Sequence, residues 1–161
     1  VRNHRDLPDN GYIGADDLEG LTTKQKKNKI FEKLHQVWAD DWRDTMKGRV
    51  TYRFVPDPKK IKTLTNYAPT MEELFIFTGH GSMNAYLYDR NLSDTPECDC
   101  GAPNENWQHI LNECPLYDEL RTWDPTEPLI NLLNNSTLYL KQKTYCAGAF
   151  ELRKMRGIDN A

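Results

Sequence analysis

No apolar run in this 161-residue chain approaches 18 residues, so no segment has the length to cross a bilayer as a helix. The opening VRNHRDLPDN is polar and lacks the pattern of a secretory leader. Its first residue is Val1 and not Met, which suggests part of something longer. Four cysteines are too few for a disulfide scaffold of this length. There is no internal repeat and no low-complexity tract. Hydrophobic content is only 38% and mean hydropathy is −0.80, more polar than an average globular domain. Long exposed helices or loose ends are therefore expected.

What the chain does have is unevenly distributed charge. The net charge of −3 conceals a segment of +7 over residues 24–63 and a segment of −10 over residues 71–128. Segment charge is thus a better guide to partners than the whole-chain value.

Residues 1–21 read as an irregular arm broken by Pro8, Gly11, Gly14 and Gly20. Thr22 or Thr23 then caps a long helix over about 23–47. In it Ile30, Phe31, Leu34, Val37, Trp38, Trp42 and Met46 recur at steps of three and four, and Gly48 supplies the stop. Its apolar stripe is expected to face protein, leaving the lysine-rich start, KQKKNK, toward solvent or phosphate. Trp38 and Trp42 read as core or docking residues in preference to base-stacking platforms. Val50, Tyr52 and Phe54 alternate with polar residues, predicting a short extended segment that ends at Pro56 and Pro58.

Thr70-Met-Glu-Glu73 is a capping box that opens an apolar helix stopping at Gly79. Ser82 is expected to cap a short helix, MNAYLYDR. Asn104 or Asn106 should cap a helix carrying Trp107 and His109, and Pro115 suits the first turn of another, LYDELRTW. Leu129 to Leu133 form a short helical stretch. A less strongly patterned helix follows over about 136–156.

The sharpest motif is Cys98-x-Cys100-x8-His109-x4-Cys114. Three thiolates and one imidazole are the ligand set of a closed, four-coordinate zinc site, which points to a structural metal and not a catalytic one. Gly101 lets the chain turn so that two sulfurs face one point. Cys114 lies near the end of the His109 helix, where unwinding would bring it back to the metal. The competing readings are a Cys98–Cys100 disulfide, or buried small residues beside an unrelated histidine. Cys146 reads as a free buried helix cysteine.

These motifs occur together in one family. The stretches FTGHGSMNAYLYDR (77–90), SDTPECDCG (93–101) and HILNECPLYDELR (109–121) strongly resemble a region of the reverse-transcriptase polyproteins of arthropod-type non-LTR retrotransposons, at their C-terminal end. WADDW (38–42) and GRVTY (48–52) resemble an upstream part of the same region. The resemblance implies a Cys-Cys-His-Cys zinc knuckle downstream of the polymerase. It further implies a nucleic-acid-handling appendage for target-primed reverse transcription, inside the cell in nucleus or cytoplasm. The parent would be an RNA-directed DNA polymerase. No polymerase YxDD motif occurs here, so this region is not itself expected to be an enzyme. LPDNGYIGAD (7–16) is either a linker or a remnant of a ribonuclease H end, in which Asp16 lacks partner carboxylates.

The expected fold is mainly α. Residues 1–21 form the arm, 22–66 a long amphipathic helix with an extended basic segment, 67–123 a helical domain stapled by one zinc ion, and 124–161 a helical tail. The expected partners are nucleic acid (element RNA or target DNA), the upstream reverse-transcriptase domain, or both. Neither a membrane nor a small-molecule substrate is expected. Because the motif lies in the acidic segment, phosphate contact is assigned to Lys24, Lys26, Lys27, Lys29, Arg49, Arg53, Lys59 and Lys60, continuing to Lys62. Trp107 either packs or stacks on an unpaired base, and His80 marks a break between helices. The alternatives are a zinc-stabilised docking domain that packs on the polymerase, or an inactive orphan fragment.

Overall fold

The computed structural model describes residues 13–60 and 68–157. Lys62 and most of the 7–16 stretch lie outside these residues. The described residues form helices and turns with no strand.

The first helix, α1 (Thr23–Asp44), opens on a capping box. The Thr22 hydroxyl accepts from the Gln25 amide, and the Gln25 side chain accepts from the Thr22 amide at 2.9 Å. The helix ends at Asp44, three residues before the expected end. Arg49 reaches back and donates to the carbonyls of Trp42 and Arg43, satisfying the helix end. Gly48 is therefore not the stop. It sits in the left-handed region (φ 65°) and opens the next helix, α2 (Arg49–Phe54).

That helix replaces the extended segment expected from Val50, Tyr52 and Phe54. Six residues are too few to separate a period of two from one of 3.6. Packing decides, because Val50 and Phe54 stand one turn apart and both turn inward. Phe54 is fully buried, edge-on to Phe77 and Trp107 with centroids at 5.0 and 5.6 Å. Val50 presses on Gly79, where an added Cβ would lie 2.8 Å from Val50 Cγ2. Pro58 opens a single tight turn, Pro58–Lys60, that packs on α1.

α3 (Met71–Thr78) begins at the expected Thr70 box and stops at left-handed Gly79. α4 (Asn84–Tyr88) is shorter than expected, and Ser82 does not cap it. The amides of Asn84 and Ala85 turn instead to Glu105, to its side chain at 3.4 Å and its carbonyl at 3.2 Å. The Pro115 segment forms a tight helical turn (Pro115–Leu120) rather than a full helix. α5 (Leu129–Asn134) and α6 (Ser136–Met155) follow, the latter capped by the Asn135 side chain.

The core is one cluster running from Phe54 to Phe150 and including Cys98 and Cys114. α6 buries Tyr139, Gln142, Tyr145, Cys146, Ala149, Phe150 and Arg153, a stripe at steps of three and four. α1 contributes no buried residue. It is anchored to this body near its C-terminal end, by Arg49, by the Pro58–Lys60 turn and by Trp42, whose indole donates to the Val55 carbonyl at 2.8 Å and packs edge-on to Tyr52. The expectation that its stripe faces protein fails within this chain's described residues: Ile30, Phe31, Leu34 and Trp38 are exposed.

Candidate metal centre

The donors stand on two short pieces of backbone. The loop from Pro96 to Glu105 is closed by Glu105 N donating to Pro96 O at 2.7 Å and by Cys98 N donating to Ala102 O at 2.9 Å. At its tip Gly101 takes φ 87° and donates to Cys98 O, so Cys98 and Cys100 face the same point. The second piece starts at Asn106, whose side-chain oxygen accepts from the amides of Gln108 and His109, both at 2.9 Å. His109–Glu113 is one wide turn in which Cys114 N bonds five residues back to His109 O at 2.7 Å. An ordinary helical turn would bring residue 113 beneath His109. The extra residue brings Cys114 there instead.

The four ligand atoms of Cys98, Cys100, His109 and Cys114 lie within 4.8 Å of one another. Cys98 Sγ and Cys114 Sγ are 3.7 Å apart, and Cys100 Sγ is 3.3 Å from His109 Nε2. A tetrahedron with zinc–sulfur bonds of about 2.3 Å has sulfur–sulfur edges of about 3.8 Å. These two separations are close to the edges that a central ion requires, and the other donor pairs lie within 4.8 Å. None of the four cysteines is in a disulfide, so the Cys98–Cys100 bridge is not made. Burial pushes the Cys98 and Cys114 thiols above their usual range. That burial favours the protonated form of these two thiols, and a divalent ion reverses that preference. The donor set fits a metal ion.

The surrounding groups hold the donors in place. His109 turns Nε2 to the cluster and Nδ1 toward Glu113 Oε2, 3.7 Å away, the arrangement that orients a ligating imidazole. Arg121 donates to the carbonyls of Leu111 at 2.9 Å and Cys114 at 3.3 Å, and the Tyr145 hydroxyl donates to Ile110 O. These contacts satisfy the orphan carbonyls of the wide turn. Glu105, fully buried, pairs with fully buried Arg153 of α6, which also donates to Ser82 O. Arg121, Tyr145, Glu105 and Arg153 were not singled out in the sequence. The available signal for Arg121 was its place seven residues after Cys114. For Glu105 it was an acid between two of the candidate metal donors, Cys100 and His109.

The basic residues do not form one continuous track. Lys24, Lys26, Lys27 and Lys29 are exposed on the first turns of α1, with Lys29 Nζ donating to Asp17 O at 2.7 Å. Arg49 is occupied with α1's last carbonyls and lies over the Tyr52 ring at 4.5 Å. Arg53 is exposed and lies over Trp107 at 5.6 Å, beside the metal turn. Lys59 and Lys60 are exposed on the tight turn after α2. Trp107 is buried against Phe54, so it packs. His80 is exposed between α3 and α4 with its ring against Tyr86. Cys146 is buried on α6, where Gln142 Nε2 contacts its sulfur at 3.6 Å.

Among the described residues no helix is long and apolar enough to cross a membrane. No protein-family profile matches the chain, and no solved structure does. Known relatives are nevertheless clear. The chain is 42% identical over 119 residues to a putative 115 kDa protein in type-1 retrotransposable element R1DM of Drosophila melanogaster, covering 73% of this chain. It is 38% identical over 143 residues, 89% of this chain, to a retrovirus-related Pol polyprotein from a type-1 element R1 of Bradysia coprophila. A Nasonia vitripennis R1 Pol polyprotein is 28% identical over 163 residues, 96% of this chain. The chain spans 12%, 14% and 40% of the lengths of these three relatives. It is thus homologous to a segment of the Pol polyproteins of insect R1 non-LTR retrotransposons.

Proposed function

We propose that this region is a non-catalytic, zinc-stapled accessory to an R1-type reverse transcriptase, positioned after the polymerase, that helps hold element RNA or target DNA during target-primed reverse transcription. The observation that carries the zinc reading is the donor geometry. Three sulfurs and one imidazole nitrogen lie within 4.8 Å of one another, two of the separations being 3.7 and 3.3 Å, so four protein donors are on hand to complete a tetrahedral shell. Such a site stabilises structure and offers no open coordination position for chemistry.

The metal cluster sits among acids, with Glu97, Asp99 and Glu113 exposed around it. A zinc ion with three thiolates carries a further negative charge, so the cluster itself repels phosphate. The cations are elsewhere. Lys24, Lys26 and Lys27 project from one end of α1, and Arg53, Lys59 and Lys60 from α2 and the turn after it. Arg49 drops out of the proposed interface because the protein itself uses its guanidinium. Meeting of element RNA with target DNA would place this work in the nucleus, with the cytoplasm as the route of the RNA.

A salt titration tests the assignment. Each phosphate contact steepens the log–log dependence of affinity on salt by about 0.7–0.9. A variant with Lys→Gln at 24, 26, 27 and 29 should bind single-stranded RNA and duplex DNA more weakly and with a flatter slope. Trp107→Tyr should change neither. Unchanged binding in the lysine variant, or its loss in the tryptophan variant, would move the contact to the metal turn.

A further inference from the structure

We propose that the groove between α4 and the loop of residues 96–106 takes an arginine side chain presented by a basic segment of a partner protein. The groove holds about 410 Å³. One wall is α4 and its cap, where Ala85, Tyr88 and Asp89 stand three and four residues apart and so share a face. The other wall is the loop, with Pro96, Asn104 and Asn106. Two bonds tie the walls together: Ala85 N donates to Glu105 O at 3.2 Å, and Glu105 N donates to Pro96 O at 2.7 Å. Buried Met83 also lines the groove, so part of the lining is apolar.

Three of the lining side chains are free to act on a ligand. Tyr88 is 48% exposed, and no described ring or cation lies on it. Tyr86 differs, because the His80 ring lies 4.9 Å from its centroid and the Arg90 guanidinium 5.3 Å. Asp89 is exposed, and no described residue pairs with its carboxylate, since neighbouring Arg90 turns to Tyr86. Asn104 is exposed with its side-chain amide unengaged by the described residues. The Asn106 oxygen, by contrast, is taken by the amides of Gln108 and His109. The groove therefore offers an open aromatic face, a carboxylate and one amide.

Charge selects the ligand. Residues 84–104 carry Asp89, Asp94, Glu97 and Asp99 against Arg90 alone, so phosphate is repelled and a cation is drawn in. An acidic side chain would be repelled as phosphate is. An apolar one would desolvate the Asp89 carboxylate without pairing it. A guanidinium answers every group present. Its flat face stacks on Tyr88. Its N–H donors, in the plane of that face, reach the Asp89 carboxylate and the Asn104 oxygen together. Its methylene stem covers the apolar lining at Met83, Ala85 and Pro96. An ammonium is a more strongly hydrated point charge and cannot stack flat, so arginine is favoured over lysine. The groove shares no residue with the lysines of α1, so this binding goes beyond the nucleic-acid reading and does not depend on it.

The test uses the full chain with its metal, isotope-labelled, and follows backbone amide shifts by NMR as the peptide acetyl-GGRGG-amide is added to about 10 mM. Saturable shifts are expected in residues 83–90 and 96–106. The same peptide with citrulline, which keeps the shape and loses the charge, should give none, and the lysine peptide should bind more weakly than the arginine peptide. Asp89→Asn and Tyr88→Ala should each weaken binding about threefold or more. Both positions are exposed, so the rest of the spectrum should stay in place and report an intact fold. Glu119→Gln removes an exposed acid elsewhere in the acidic segment and should leave binding unchanged. No saturable shift in the groove, equal binding of the citrulline or lysine peptide, a Tyr88→Ala variant that binds like wild type, or equal losses in Asp89→Asn and Glu119→Gln would each overturn the proposal. So would groove shifts produced by a single-stranded uridine oligonucleotide and not by the peptide, which would make the ligand an unpaired base.

Discussion

At the scale of single residues, the buried Glu105–Arg153 pair links the metal loop to the last helix. Both side chains are fully buried, and Glu105 also receives the first amide of α4. Removing one member strands the other charge away from water, which costs about 3–5 kcal/mol. Arg153→Met is therefore expected to lower the urea midpoint strongly, and the Glu105→Gln, Arg153→Met double variant to recover part of the loss. Equal midpoints for wild type and Arg153→Met would show that the pair is dispensable. The cluster of Cys98, Cys100, His109 and Cys114 was legible in the sequence because residue type and spacing point to a metal site directly. Glu105, Gln142 and Arg153 were not. Polar residues read as surface until a partner across the fold accounts for their burial. For the same reason α6 looked weakly patterned: two of its inward positions are Gln142 and Arg153.

At the scale of elements, local hydrogen-bonding chemistry reads well and short periodicity reads poorly. The box at Thr70 is built as its sequence implies, and Thr22, one of the two expected caps of α1, closes a further box with Gln25, each a contact between residues three apart. The stretch from Arg49 to Phe54 misled because its alternation is also compatible with two inward positions one turn apart. Phe54 should carry the larger share of that packing. Phe54→Ala empties a fully buried site between Phe77 and Trp107, and an expected loss of about 3–5 kcal/mol follows. Tyr52→Ala, on the half-exposed side of the same helix, should cost less. Denaturant unfolding of the two variants checks the order, and the reverse order would favour an extended segment. Gly79 is a second check. Its left-handed φ of 72° and its contact with Val50 leave no room for a side chain, so Gly79→Ala should destabilise by more than about 1 kcal/mol. A neutral result in thermal melts would mean that the α2–α3 contact is loose.

At the scale of the whole molecule, the mainly helical class and the gathering of the four donors were legible, and the distribution of burial was not. The long helix, read as facing protein, lies outside the core. The C-terminal helix carries seven of the buried side chains among the described residues and packs on the His109–Glu113 turn. One core containing both Cys114 and Cys146 has a cooperative consequence. With metal bound, all four thiols should resist a thiol reagent: three are ligands, and Cys146 is buried with its thiol pushed far up by that burial. Adding a strong chelator should expose Cys146 together with the three ligands, in one kinetic phase. A Cys146 that stays protected after the other three have reacted would show that the last helix holds its packing without the metal.

The account rests on one ion held by Cys98, Cys100, His109 and Cys114. Its most direct test is elemental analysis of the chain purified without chelator, beside a Cys114→Ser variant prepared in the same way. The prediction is one zinc per wild-type chain. The variant should show a large loss of zinc and of protection from hydrogen exchange around residues 98–117, because structural zinc contributes its binding free energy to folding. A wild-type chain that is folded and contains no zinc would contradict the account.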